Sequence, residues 1–283
     1  MIRIWFLLSL ALLTGCQFQV SPWETDVNCP GMSVEENLRR LEALEQASGS
    51  KAFYQVAILS DPQQYPGAFE DTIKIVNRLD DVDFILLLGD LAQTGVKAEF
   101  EWVCKAMQSS KKPILPVIGN HDALSFGNDI WLDVFGPLDY SFEYQNSKFV
   151  GYNDNKYEYD NVPDRGWLAQ QAEVAAGELR YHTIGFSHIA PWKDDTQLSA
   201  FLQDAGYDLM LHGHEHNFDL WHLYDVDLEH YIAPDTKEKR FGLLSVYPDQ
   251  LVLENCDKSC YQPTARVLNV DNVNNESKTS AEP

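Results

Sequence analysis

The segment Val82 to Asp90, "VDFILLLGD", runs five large apolar residues together and stops on a glycine and a carboxylate. Such a strand has no inside–outside alternation, so both of its faces need cover, and it belongs within a sheet layered on each side. Comparable runs recur as "AFYQVAILSD" (52–61), "PILPVIGNHD" (113–122), "YHTIGFSH" (181–188) and "YDLMLHGHEH" (207–216). Apolar residues at helical spacing separate the first three: Phe69, Ile73 and Val76 within 67–79, then Val96, Phe100, Val103 and Met107 within 95–108. Strand and helix in alternation predict βαβ units with parallel neighbours.

Around this frame, Ser33 and Glu36 form a capping box for a helix whose face is Val34, Leu38, Leu41 and Leu44. "YSFEYQNSKFVGYN" predicts a hairpin about Gln145-Asn146-Ser147, followed by helices over 167–176 and near 195–204. From Phe218 onward, "DLWHLYDV", "HYIA" and "RFGLLSVYPDQLVLENC" predict an antiparallel return. Residues 1–15 read as a signal peptide, 16–50 as a tether with the N-terminal helix, 51–262 as one α/β domain and 263–283 as a disordered polar tail. The formal charge of −22 argues against nucleic acid or anionic lipid as a docking partner.

The N-terminus has Arg3, an apolar stretch from Ile4 to Leu13, and then Leu13-Thr14-Gly15-Cys16. Those last four residues resemble the lipobox of bacterial lipoproteins, which implies a lipid on Cys16 and attachment to a membrane. Gln17 after it resembles the outer-membrane sorting pattern, so the expectation is a periplasm-facing, outer-membrane lipoprotein. The alternatives are a secretory peptide cut elsewhere or a buried N-terminal strand. Four cysteines then remain, Cys29, Cys104, Cys256 and Cys260, and the last two are spaced for a small bridged loop, with a pair of free thiols as the alternative.

Each apolar run ends in polar residues: Asp61; Asp90; Asn120 with His121 and Asp122; His188; and His212 to His216. Ligand crevices in α/β sheets form at the carboxyl ends of strands, so these five points are expected to converge. Carboxylates, an amide and imidazoles without a thiolate suit Mn, Fe, Zn or Co. Two ions sharing a carboxylate, roughly 3.5–4 Å apart, would use the whole set, an arrangement that hydrolyses phosphate esters.

The order Asp61, "GDLAQTG" (89–95), "GNHD" (119–122), His188 and "GHEH" (213–216) resembles the calcineurin-like metallophosphoesterases over about residues 53–250. The resemblance implies a four-layer αββα sandwich with two mixed β-sheets flanked by helices. It also implies that Asp61 and His216 bind a first metal, that Asp90 bridges, and that Asn120, His188 and His214 bind a second. His121 would assist at the phosphoryl oxygen or leaving group, with Asp122 orienting it, while a hydroxide between two divalent ions attacks phosphorus.

Where most members have Asp-x-His, this chain has Asp61-Pro62-Gln63. Gln63 resembles the manganese-dependent ADP-ribose and CDP-alcohol pyrophosphatase branch, and an amide oxygen favours Mn or Mg over Zn; alternatively Gln63 is no ligand. Gln93-Thr94-Gly95 stands where the second block of the protein phosphatases ends Asp-Arg-Gly, so the Arg that clamps monoesters there is missing. The expected substrate is therefore a phosphorylated small molecule, nucleotides included, with a diester or pyrophosphate bond. A phosphomonoesterase or a catalytically silent binding lipoprotein is the alternative. His212 is expected behind the ligands, His182, His222 and His230 are expected to be structural, and Asn128, Trp192 and Asn217 are candidates for the groove wall.

Overall fold

The computed structural model describes residue 21 and residues 24–191, 196–257 and 266–269. The signal segment therefore lies outside the described residues, as do Trp192 and Cys260. Helix α1 (Val34–Ser48) starts where the Ser33 hydroxyl accepts the Glu36 N–H at 3.2 Å, as the sequence predicts. There follow β1 (Tyr54–Leu59), α2 (Pro66–Val76), β2 (Val82–Leu88), α3 (Lys97–Met107), β3 (Ile114–Val117), α4 (Gly127–Val134) and the hairpin strands β4 (Tyr140–Tyr144) and β5 (Ser147–Gly151). The second half has α5 (Arg165–Ala172), β6 (His182–Phe186), α6 (Thr196–Ala205), β7 (Leu209–His212), β8 (Asp219–Leu223), β9 (Val226–Ile232), β10 (Arg240–Val246), β11 (Gln250–Asp257) and β12 (Arg266–Asn269).

The strands make two six-stranded mixed sheets, ordered β12-β11-β10-β1-β2-β3 and β4-β5-β6-β7-β9-β8. Strands β1, β2 and β3 run parallel in the first, and β5, β6, β7 and β9 in the second. Successive side chains of a strand face opposite layers. Val56, Ile58, Phe84, Leu86 and Leu88 thus meet Phe142, Phe149, Ile184, Phe186 and Leu209 between the sheets. Their neighbours Ala57, Leu59, Ile85 and Leu87 face outward against Phe69, Ile73, Phe100 and Val103 of α2 and α3. On the far side Val150, Tyr152 and Met210 are covered by Leu168 of α5 and by Leu198 and Leu202 of α6. The result is the expected αββα sandwich, and the unbroken apolar character of β2 follows from its two covered faces.

Three sequence expectations need correction. The return after Phe218 is not uniformly antiparallel: β9 pairs with β7 in parallel, β8 folds back on β9, and β10 to β12 extend the other sheet. The span read as a disordered tail contributes Arg266–Asn269 as β12, because β11 offers an open edge for it. Finally, the stretch read as a tether joins the domain from residue 24. Lys97 holds Glu24 and Asp26 at 3.1 and 2.8 Å, Met32 is buried, and Cys29 is bonded to Cys104 on α3. That bond closes a 75-residue separation, worth about 4 kcal/mol in the chain-entropy account. Cys256 is also disulfide-bonded.

Candidate metal centre

Asp61, Asp90 and Asn120 follow β1, β2 and β3 of one sheet, while His188, His214 and His216 follow β6 and β7 of the other. The two sheets therefore meet at the carboxyl ends of their parallel strands. Here the blocks approach backbone to backbone, and the motif glycines permit it. A Cβ on Gly119 would run into Asp90 Oδ1 and its backbone nitrogen, and one on Gly213 would strike the Ser60 hydroxyl and lie 2.8 Å from the Leu88 carbonyl. Asp61, Asp90, His214 and His216 take positive φ values of 52°, 54°, 69° and 58°. Left-handed backbone at non-glycine residues costs of order 1–3 kcal/mol each and gathers where function over-determines geometry. The kink at His214 also explains why His212, His214 and His216 do not share a face as an extended strand would have them.

The donor atoms fall into two groups that share Asp90: Asp90, His188 and His214, and Asp61, Asp90 and His216, each with its ligand atoms within 4.8 Å of one another. In the first, His188 Nε2 faces Asn120 Oδ1 at 3.1 Å, Asp90 Oδ2 at 3.3 Å and His214 Nδ1 at 3.3 Å. Its Nδ1 lies 2.7 Å from the Leu88 carbonyl, which can only accept, so the proton on Nδ1 is fixed and Nε2 is turned to the cluster. In the second, Asp61 Oδ2 accepts from the Ser60 hydroxyl and the His214 N–H, while Oδ1 accepts no hydrogen bond and stands 3.2 Å from His216 Nε2. Gln63 Oε1 is likewise buried without a hydrogen-bond partner. Buried oxygens are normally bonded. Two orphaned ones among the candidate ligands fit a cation of the hard to borderline class, and so does the thiolate-free donor set.

Charge coupling agrees with that fit. Burial works against ionised Asp90, yet the charges of His188 and His121 hold its carboxyl below the ordinary range. Against its own burial, His188 is pushed up by Asp90 and Asp61. A proton on His188 is the local substitute for a metal charge, and a cation would displace it.

His121 sits beside the cluster with its N–H on Asp90 Oδ1 at 3.0 Å. Its Nδ1 lies 2.7 Å from the Gln93 carbonyl, with the Gln93 amide nitrogen 3.1 Å away, leaving Nε2 for proton exchange. Gln93 therefore orients the ring, a role sequence reasoning gave to Asp122. Both Asp122 oxygens are occupied by backbone N–H groups, from Ala92 at 2.7 Å and Gly119 at 2.9 Å. Asp122 ties the second block to the third rather than steering His121. Burial and the charge of Asp90 raise its carboxyl well above the usual range.

His212 is buried outside the cluster, between Ser187 at 2.9 Å and His230 at 3.1 Å. His182, His222 and His230 also stand apart, on the Tyr247 carbonyl, Glu229 and Ser199 respectively. Asn128 accepts from the Tyr159 hydroxyl at 2.8 Å. Asn217 lines a cavity of about 690 Å3 that reaches His214, and a smaller one of about 120 Å3 reaches both His214 and Asn120. Residues 189–191 border both. They are held by Asp154, whose carboxylate accepts the Ile189 N–H at 3.0 Å and which burial pushes up to about 6. Sequence reasoning missed Gln93 and Asp154. Gln93 lies inside a quoted block and was read only as part of a departure from Asp-Arg-Gly; Asp154 follows the hairpin with no local signal.

Residues 54–218 match the family described as calcineurin-like phosphoesterase. No curated protein matches the chain significantly. Among solved structures, the purple acid phosphatase PPD1 of yellow lupin (Lupinus luteus) seeds is 14% identical with a TM-score of 0.63, over 78% of this chain and 54% of that one. The chain thus spans about half the lupin protein's length. GAP50, the anchor in the inner membrane complex of Plasmodium, is 15% identical with a TM-score of 0.59, over 78% and 90%. PhoD is 9% identical with a TM-score of 0.54, over 78% and 69%. At these identities the likeness is one of fold.

Proposed function

The chain belongs to the calcineurin-like phosphoesterases, a family of metal-dependent phosphoesterases, and on that premise we propose that it cleaves phosphodiester or pyrophosphate bonds at a dinuclear centre. The observation that carries this reading is the pair of donor groups sharing Asp90, with Asp61 Oδ1 and Gln63 Oε1 buried without a hydrogen bond. Asp61 and His216, with Gln63, would hold one ion, and Asn120, His188 and His214 the other, with Asp90 between them. Divalent ions held there would neutralise phosphoryl charge and activate the attacking water. His121 Nε2 supplies a proton to the leaving oxygen, its ring set by the Gln93 carbonyl. Two cavities on either side of residues 189–191 suit a phosphorus that carries two substituents.

Manganese is the first expectation for the ion, because an amide oxygen at Gln63 is a harder and weaker ligand than imidazole. The lipobox-like segment supports anchoring through Cys16 on the periplasmic side of the outer membrane. Incorporation of radiolabelled palmitate by the wild-type chain and its loss in Cys16→Ser test that. The enzymatic reading is tested by stripping the purified protein of metal, restoring Mn and following bis-p-nitrophenyl phosphate. Metal-dependent turnover is expected. Bound metal without turnover of this diester or of nucleotide pyrophosphates would refute the reading and favour the monoester alternative.

A further inference from the structure

Upstream of α1 the chain runs along α3 towards the metal centre. Cys29 is bonded to Cys104, whereas Asp26 and Glu24 are held by Lys97, the first residue of that helix. Positions 104 and 97 are about 10 Å apart along the helix axis. Lys97 stands at the end of α3 that follows the second block, and a Cβ on Gly95 just before it would strike the Leu124 carbonyl of the loop after the third block. Ser21 lies at the same end, its carbonyl accepting the Glu24 N–H at 3.2 Å. Five residues then connect Ser21 to Cys16, at most about 18 Å of extended chain. A compact domain of this length is about 45 Å across. A lipid on Cys16 therefore keeps the strand-end face next to the bilayer and the opposite end away from it.

That face carries exposed apolar side chains around the metal centre. Tyr65 follows Gln63 and Gln64 after β1, with Gln64 bonded to Gln93 and Lys237 Nζ 5.0 Å from the Tyr65 ring centre. Leu124 comes three residues after His121, and Tyr157, 89% exposed, borders the cavity that reaches Asn120 and His214. Exposed apolar residues are ordinary on protein surfaces, and Leu179 and Tyr224 stand exposed at the opposite end, before β6 and β9. The exit of the chain, rather than exposure, selects the face. Tyrosine rings with a wet hydroxyl suit the boundary between headgroups and acyl chains. A net charge of −22 repels anionic headgroups, so the surface that fits is zwitterionic.

We propose that this face, with Tyr65, Leu124 and Tyr157 at its rim, docks on a zwitterionic lipid surface, so that the metal centre opens onto the headgroup layer. This rests on the anchoring through Cys16 described above, and it is independent of which phosphate bond is cleaved.

The test places the full lipidated chain in phosphatidylcholine vesicles, with an environment-sensitive fluorophore attached in turn to Leu124→Cys, Tyr157→Cys and Tyr224→Cys. At the two rim positions the emission is expected to shift to the blue and to be quenched when the acyl chains carry bromine. At Tyr224→Cys neither change is expected. Rim labels that behave like the Tyr224→Cys label overturn the proposal. Flotation of the wild-type chain with the vesicles, lost in Cys16→Ser, checks the anchor separately. If the wild-type chain does not float, the anchoring reading has failed, and the same labelled proteins are mixed with vesicles in solution. A blue shift confined to the rim positions then supports the docking face, and no shift there overturns it.

Discussion

Asp83 and Asp90 are both buried and stand at opposite ends of β2, about 20 Å apart along the strand. Asp83 lies on regular strand and has its oxygens filled: Lys51 Nζ reaches both at 2.6 Å, and the Tyr144 hydroxyl donates at 2.8 Å. Asp90 is in left-handed backbone, has one backbone N–H on Oδ1, and turns Oδ2 to an imidazole 3.3 Å away among further ligand atoms. One end of the sandwich completes its polar groups within the protein. The other leaves them strained and open to an ion. The difference teaches that burial of a carboxylate says nothing about its role until its partners are counted.

The sharpest test of that contrast is Asp90→Asn, which removes the donor common to both groups. Turnover should fall by about a hundredfold to a thousandfold and metal content, read by elemental analysis, should drop with it. The metal-free variant is expected to unfold no earlier than metal-free wild type. Next comes His121→Ala, where kcat should fall by about a hundredfold with metal content intact; an unchanged rate would remove His121 from the mechanism.

At the opposite end, Asp83→Asn should cost about 2–3 kcal/mol in urea unfolding, because Lys51 loses its counter-charge and an NH2 donor replaces one of the two acceptor oxygens that Lys51 and Tyr144 share. Turnover per folded molecule should hold, and a loss of metal there would break the comparison. His230 sharpens it differently: burial holds it down to about 3, so it is neutral when folded and protonates on unfolding. Its contribution to stability is complete above its ordinary value of 6.5 and is lost as pH falls towards 3, at about 1.4 kcal/mol per pH unit. Unfolding midpoints in His230→Gln should show a flatter acid limb. The smallest effect is expected from Gln63→His, a shift of about tenfold in relative affinity towards zinc; identical metal titrations would count against Gln63 as a ligand.

Much of this was legible because periodicity is local. The run from Phe84 to Leu88 and the spacing of Phe69, Ile73 and Val76 announce a covered strand and its helix without any knowledge of neighbours. The site blocks were legible for the same reason, since each is a short polar stop after an apolar run. Helix α4 escaped notice because eight residues give barely two turns in which Ile130, Trp131 and Val134 can show a face. Asp122 was misread because contiguity in "GNHD" suggested contact with His121, whereas the turn points its carboxylate back at Gly119 and Ala92.

By itself, then, the sequence determined the order of elements, the two covered sheets' worth of apolar strands, and the candidate ligands at the strand ends. Only the tertiary structure decided that β9 joins β7 in parallel while β10 crosses to the other sheet, that Cys29 meets Cys104, that Gln93 holds His121, and that Phe218 and Trp221 wall a cavity beside His214. Side-chain periodicity is written within a few residues. Pairing partners, orphaned acceptors and cavity walls depend on groups tens of residues apart, and they exist only once the two sheets have closed on each other.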